Sequence, residues 1–130
     1  MTFCRVALIC HRPPGEQRHW DFLRERKPGS ELCATWRLSN PCDGPQGTSA
    51  ALRLFDHRRY YLDLDTEISS SRVGSVQPTA SGCVVGIDDV YDPSVLTVCW
   101  SSGQLSKITL EENKFRYERL THEDHTSGAK

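Results

Sequence analysis

Apolar and polar residues alternate along this chain in short runs, and clusters of Gly, Pro, Asn, Asp or Ser break the runs. That period of two predicts strands over residues 3–10, 19–25, 32–38, 51–55 and 60–65, then 73–78, 82–88, 95–100, 105–110 and 114–120. Turn signals fall between them, among them Pro13-Pro14-Gly15, Lys27-Pro28-Gly29, Asn40-Pro41, Gly44-Pro45, Asp92-Pro93 and Ser102-Gly103. No window of about 11 or more residues carries a 3.6-residue apolar stripe, so little or no helix is expected. The expected fold is all-β, a closed or half-closed antiparallel barrel over residues 1–120. The stretch 121–130, which contains His122 and His125, is polar and reads as a flexible tail with solvent-exposed histidines.

Composition narrows the function classes. At 130 residues, 37% hydrophobic and 25% charged, the chain suits one soluble globular domain. No run approaches the ~20 apolar residues that span a bilayer, so no membrane role is expected. Met1-Thr2-Phe3-Cys4-Arg5 has no basic segment leading into a long apolar run, so a cytoplasmic location is expected. The net charge of −1 argues against a protein that coats nucleic acid, which needs many cations for many phosphates. Recognition of a single terminal phosphate needs only a local cluster. The six cysteines contain no Cys-x-x-Cys pair, so they read as small hydrophobes and not as a zinc ribbon.

The segment His19-Trp20-Asp21-Phe22-Leu23-Arg24-Glu25 carries the first chemistry. In a strand, Trp20 and Phe22 share one face with the stem of Arg24, and His19, Asp21, Leu23 and Glu25 share the other. The aromatic face belongs in the core. The opposite face presents an imidazole and a carboxylate with backbones about 7 Å apart, close enough for both tips to reach one ion. His11, at the end of the apolar run Val6-Ala7-Leu8-Ile9-Cys10 and just before a Pro-Gly turn, is the candidate third ligand. Such a mixed N,O set suits Mn²⁺ or Zn²⁺.

A second patch runs from Asp56 to Asp65. Read as a strand, it turns Tyr60, Leu62 and Leu64 inward, and His57, Arg59, Tyr61, Asp63 and Asp65 outward. A histidine, an arginine and a phenol on one face can bind phosphate, Arg through its fork and the others through single donors.

In this order, the two patches resemble the 3′-phosphoesterase module of ligase D-type bacterial DNA ligases. That signature has a His ending an early strand, a His-aromatic-Asp-x-x-x-Glu element, and an Asp-His-x-x-x-Tyr element. Here these are His11, then His19-Trp20-Asp21 with Glu25, then Asp56-His57 with Tyr61. Ala34-Thr35-Trp36-Arg37-Leu38 is similar to the family's Trp-containing strand, and the likeness spans roughly residues 3–120. The resemblance implies a small crescent-shaped β-barrel that binds Mn²⁺ and trims DNA or RNA–DNA 3′ ends, removing a terminal ribonucleotide or a 3′-phosphate. It further implies a repair role in non-homologous end joining, here as a monomer beside a separate ligase or polymerase. Carried over, His11, His19 and Asp21 hold the metal, and His57 and Tyr61 engage the phosphate.

This chain departs from the pattern at three points. Leu23 stands where the family usually has an arginine on the catalytic face, and Arg24 points the other way by parity. Phe55 stands in place of an acidic residue, and the spacing from His11 to His19 is longer than in typical members. Arg59 or Arg53, both expected on the His57 face, are the candidate replacements for the missing cation. The alternative expectation is a relative that binds a phosphate-bearing ligand or a repair partner without turnover, and the third is an unrelated barrel.

Overall fold

The computed structural model describes residues 3–121; the rest of the expected tail, including His122 and His125, lies outside the described residues. Nine strands follow in chain order: β1 (Arg5–Arg12), β2 (His19–Glu25), β3 (Leu32–Leu38), β4 (Gln46–Arg58), β5 (Ile68–Ser70), β6 (Gly74–Ile87), β7 (Val95–Trp100), β8 (Leu105–Glu111) and β9 (Lys114–Leu120). Every pairing is antiparallel, in the order β1-β2-β3-β4-β9-β8-β7-β6, and β6 returns to β1 to close the barrel. The short β5 is added beside the start of β6. The expected all-β barrel is what the chain forms, and closure leaves no long unpaired edge.

The strand alternation is used on both faces. Phe22, Trp36, Trp100 and Phe115 meet inside the barrel at ring separations of 5.6–6.5 Å, with Val6, Leu8, Leu96, Val98 and Ile108 around them. Such offset and edge-on pairs add to the burial of the rings themselves. The outer face of β1, β2 and β3 carries a second apolar cluster of Ala7, Ile9, Leu23 and Cys33, joined by Val76 of β6 and by Leu62. β2 is therefore buried on both faces over Asp21–Glu25.

The cover over that outer cluster corrects one expectation. Residues 60–65 do not form a strand: Arg59–Asp63 is a 3-10 helix, the only helical element among the described residues. Continuing β4 would have left Ala7, Ile9 and Leu23 facing water, and tertiary burial outweighs the local strand preference. Arg5 anchors the helix by donating to the Leu62 carbonyl and the Asp63 carboxylate at 2.9 and 2.7 Å. Leu62 is buried as expected, whereas Tyr60 is turned out to 55% exposure.

Two more boundaries differ. The strands expected over 73–78 and 82–88 are one continuous β6, which passes through Pro78 where its register with β1 shifts between Leu8 and Ile9. The missing proline N–H falls at that irregularity, the kind of position where a strand tolerates proline. β4 also begins earlier than expected, at Gln46, because residues 46–50 pair with β9.

Glu25 ties these parts together. Its carboxylate, 2% exposed, accepts from the Arg5 amide at 2.7 Å, the Gly29 amide at 2.9 Å and the Arg59 guanidinium at 2.9 Å. Burial alone would raise its pKa, but these three donors outweigh it and hold the group below its ordinary 4.5. The stability such a carboxylate contributes is present above its unfolded pKa and is lost as pH falls through its lower folded value. Glu25→Ala orphans two amides at roughly 1–3 kcal/mol each, so urea unfolding at pH 7 should show a loss of about 3 kcal/mol. The gap to wild type should narrow as the pH is taken below 4.5.

Candidate metal centre

The β1–β2 hairpin sets His11 directly opposite His19, and Ile9 opposite Asp21. Alternation then places His19 and Asp21 on the outer face, beside the His11 ring at 4.8 Å between the histidine centroids. One ligand atom from each of His11, His19 and Asp21 lies within 4.8 Å of the other two. All three expected metal ligands are thus brought together by one hairpin.

The local chemistry fits a cation. His19 Nε2 and Asp21 Oδ1 are 3.4 Å apart, both buried, and neither has a hydrogen-bond partner. Buried polar atoms are seldom left this way. Two ligand atoms on a tetrahedral ion with bonds of ~2.1 Å stand about 3.4 Å apart, the separation found here. His11 Nε2 lies 2.9 Å from the Val73 carbonyl. A carbonyl can only accept, so Nε2 carries the proton and Nδ1 keeps its lone pair, the usual outer support for a metal-binding imidazole. Gly74 lets Val73 approach: its φ is +84°, and a Cβ there would collide with the Arg12 carbonyl. Burial lowers the His19 pKa; the Asp21 charge opposes this, and Arg37 and His11 add to the lowering. A neutral imidazole is the form that binds a metal.

The other expected site residues are placed elsewhere. His57 lies opposite Cys33, which in turn lies opposite Glu25, so it is level with the far end of β2 from His19. Asp21 and Glu25 are four strand positions apart, or about 13 Å. His57 and Tyr61 do meet, with ring centroids 6.1 Å apart, and exposed Phe55 stacks on His57 at 5.1 Å. They form a separate patch on the same outer face as the histidines and Asp21, and Leu23 fills the position between.

Neither proposed replacement cation reaches the histidines and Asp21. Arg59 is bound to Glu25 and the Ser30 carbonyl. Arg53 is not on the His57 face at all, because a bulge sets Thr35 opposite Leu54 but Cys33 opposite His57. The extra residue in β4 reverses the parity, and Arg53 lies over the Trp36 ring at 4.9 Å.

The missed residue is Arg37. It is the cross-strand partner of Asp21, exposed, and without a hydrogen bond or ion pair among the described residues. Only the β2–β3 register brings it to the site, so spacing along the chain gave no signal. Arg37, His19 and Arg18 line a cavity of about 560 Å³, together with Ser39 and Asn113. Arg18 stacks over Trp20 at 5.0 Å. Compared with known protein families and with curated proteins, the chain matches none.

A preformed three-ligand site stabilises the fold when it is filled. Adding Mn²⁺ or Zn²⁺ to chelator-treated protein should raise the midpoint of thermal unfolding, and His19→Ala or Asp21→Asn should abolish the rise. The rise should also fade in acid, because protons compete with the metal for its ligands. An equal rise in wild type and both variants would place the ion elsewhere.

Proposed function

We propose that the protein is a metal-dependent phosphoesterase that trims phosphate-bearing DNA 3′ ends in repair. The supporting observation is the buried His19–Asp21 pair, whose facing atoms stand 3.4 Å apart with no other partner, and the free guanidinium of Arg37 across the strand from it. His11, His19 and Asp21 would hold the ion, and Mn²⁺ is the cation that the sequence resemblance favours. A divalent ion there supplies Lewis acidity toward a phosphoryl oxygen.

The chain's own residues do the rest. Arg37 offers a planar fork of donors to a terminal phosphate and takes the part of the arginine absent at Leu23. The neighbouring cavity is large enough for one nucleotide, with Arg18 and Asn113 as further donors. His57, Tyr61 and the stacked Phe55 lie farther along the same face, at a distance that suits contacts to the strand upstream of its end. On this reading they bind substrate and do not act on the reacting phosphate. The hydroxyl left behind would serve a separate ligase or polymerase.

A second reading, binding of a phosphate-bearing ligand without turnover, is favoured by one observation. His57 and Tyr61 are about 13 Å from the level of Asp21, so no side-chain acid from that patch stands at the ion site. A primer ending in 3′-phosphate, incubated with Mn²⁺ and resolved on a gel, separates the two readings. Conversion to the 3′-hydroxyl is expected, and Arg37→Ala should slow it by about 10²–10³-fold, the usual effect of removing a transition-state donor. His57→Ala and Tyr61→Phe should raise KM more than they lower kcat. Binding of the primer with no conversion would leave the second reading standing.

A further inference from the structure

Among the described residues Arg24 is the one buried cation, and the candidate metal site makes no use of it. Its side chain points to the inner face with Phe22 and is 2% exposed. It makes a single long contact, donating to the Glu25 carbonyl at 3.4 Å, and its Nε is buried without a partner. Leaving a guanidinium dry and unpaired is costly, and buried charges in proteins normally have a counter-ion.

Its surroundings do not supply one. Arg24 lies on the wall of a cavity of about 420 Å³ shared with Arg26, Arg53 and Trp36. The carboxylate whose charge acts on Arg24, Asp56, is committed: Arg26 holds it through two bonds of 2.8 Å and Arg53 through one of 3.0 Å. The Arg26 bonds, with help from Arg53, keep the Asp56 carboxyl ionised with a pKa of about 2. One anion therefore answers three guanidiniums. Of the acids that line the cavity, Glu111 is bound by Arg116 at 2.8 Å and Lys114 at 3.4 Å, while Asp92 and Glu112 are exposed. Tyr91, 91% exposed, adds a free aromatic ring beside them.

We propose that this cavity is a second anion site, in which Arg24, Arg26 and Arg53 receive a phosphate group. It is separate from the metal centre, because β2 turns Arg24 to the face opposite Asp21. Arg24 supplies the desolvated charge, and Arg26 and Arg53 can each turn donors from Asp56 to the incoming oxygens. Tyr91 lines the cavity as a ring to stack on, which a phosphorylated nucleotide end can use and a free anion cannot.

The test is thermal unfolding of the chelator-treated full chain, so that no ion at His11, His19 and Asp21 can take up the phosphate. Inorganic phosphate at about tenfold over its Kd should raise the midpoint by about 3–5 °C. A short 5′-phosphorylated oligonucleotide should do so at lower concentration than its unphosphorylated twin, and failure of that arm alone would assign the site to the free anion. Arg24→Met should abolish the shift. Arg26→Gln, at a side chain 46% exposed and so safe for folding, should weaken binding severalfold. His19→Ala should leave the shift intact whether or not the protein proves to be a phosphoesterase. No shift in wild type, an equal shift in both arginine variants, or its loss in His19→Ala would overturn the proposal.

Discussion

The barrel's outer architecture hangs on the carboxylate of Glu25. It closes the end of β2 against the Arg5 amide of β1, fixes the turn at Gly29, and receives the arginine that begins the 3-10 helix. That helix is the lid of the outer apolar cluster, so the burial of Ala7, Ile9 and Leu23 depends on where Arg59 is held. A buried carboxylate is a liability unless its oxygens are filled, and here three donors fill them. One end of the outer face is consequently sealed by apolar packing. The other end, at His11, His19 and Asp21, keeps two buried polar atoms that face each other at 3.4 Å and have no other partner.

Much of this was legible in the residues alone. The bounds of β2, β3, β7 and β9 coincide with their hydrophobic runs, and parity within β2 correctly set His19 and Asp21 apart from Phe22. His11, His19 and Asp21 were foreseeable because a single hairpin joins them. What was not legible depends on register between distant strands. Arg37 faces Asp21 only through the β2–β3 ladder, and Arg53 left the His57 face through a bulge that alternation cannot reveal. Residues 60–65 alternate like a strand, yet the chain folds there to cover a surface made by three other strands.

The order Leu23-Arg24 decides where positive charge is spent. A cation at position 23 would stand on the outer face beside Asp21; at position 24 it enters the barrel wall and meets Arg26 and Arg53. Period-two geometry makes a swap of neighbours equivalent to moving a charge through the sheet. Arg37 then stands at the outer site from a different strand. On the proposed phosphoesterase reading, the cation could come from β2 or from β3, while the inner face acquires a cluster of guanidiniums.

The hairpin has a consequence for variation among related sequences. His11 and His19 are paired by the ladder itself, and residues 13–18 connect them across the open end. Loop-closure entropy changes slowly with length, so this connection can gain or lose residues with little effect on the separation of the two imidazoles. Searches that demand a fixed interval between the histidines would overlook such chains. A pattern anchored on His-x-Asp, with a free-length gap back to a histidine ending an apolar run, would retain them.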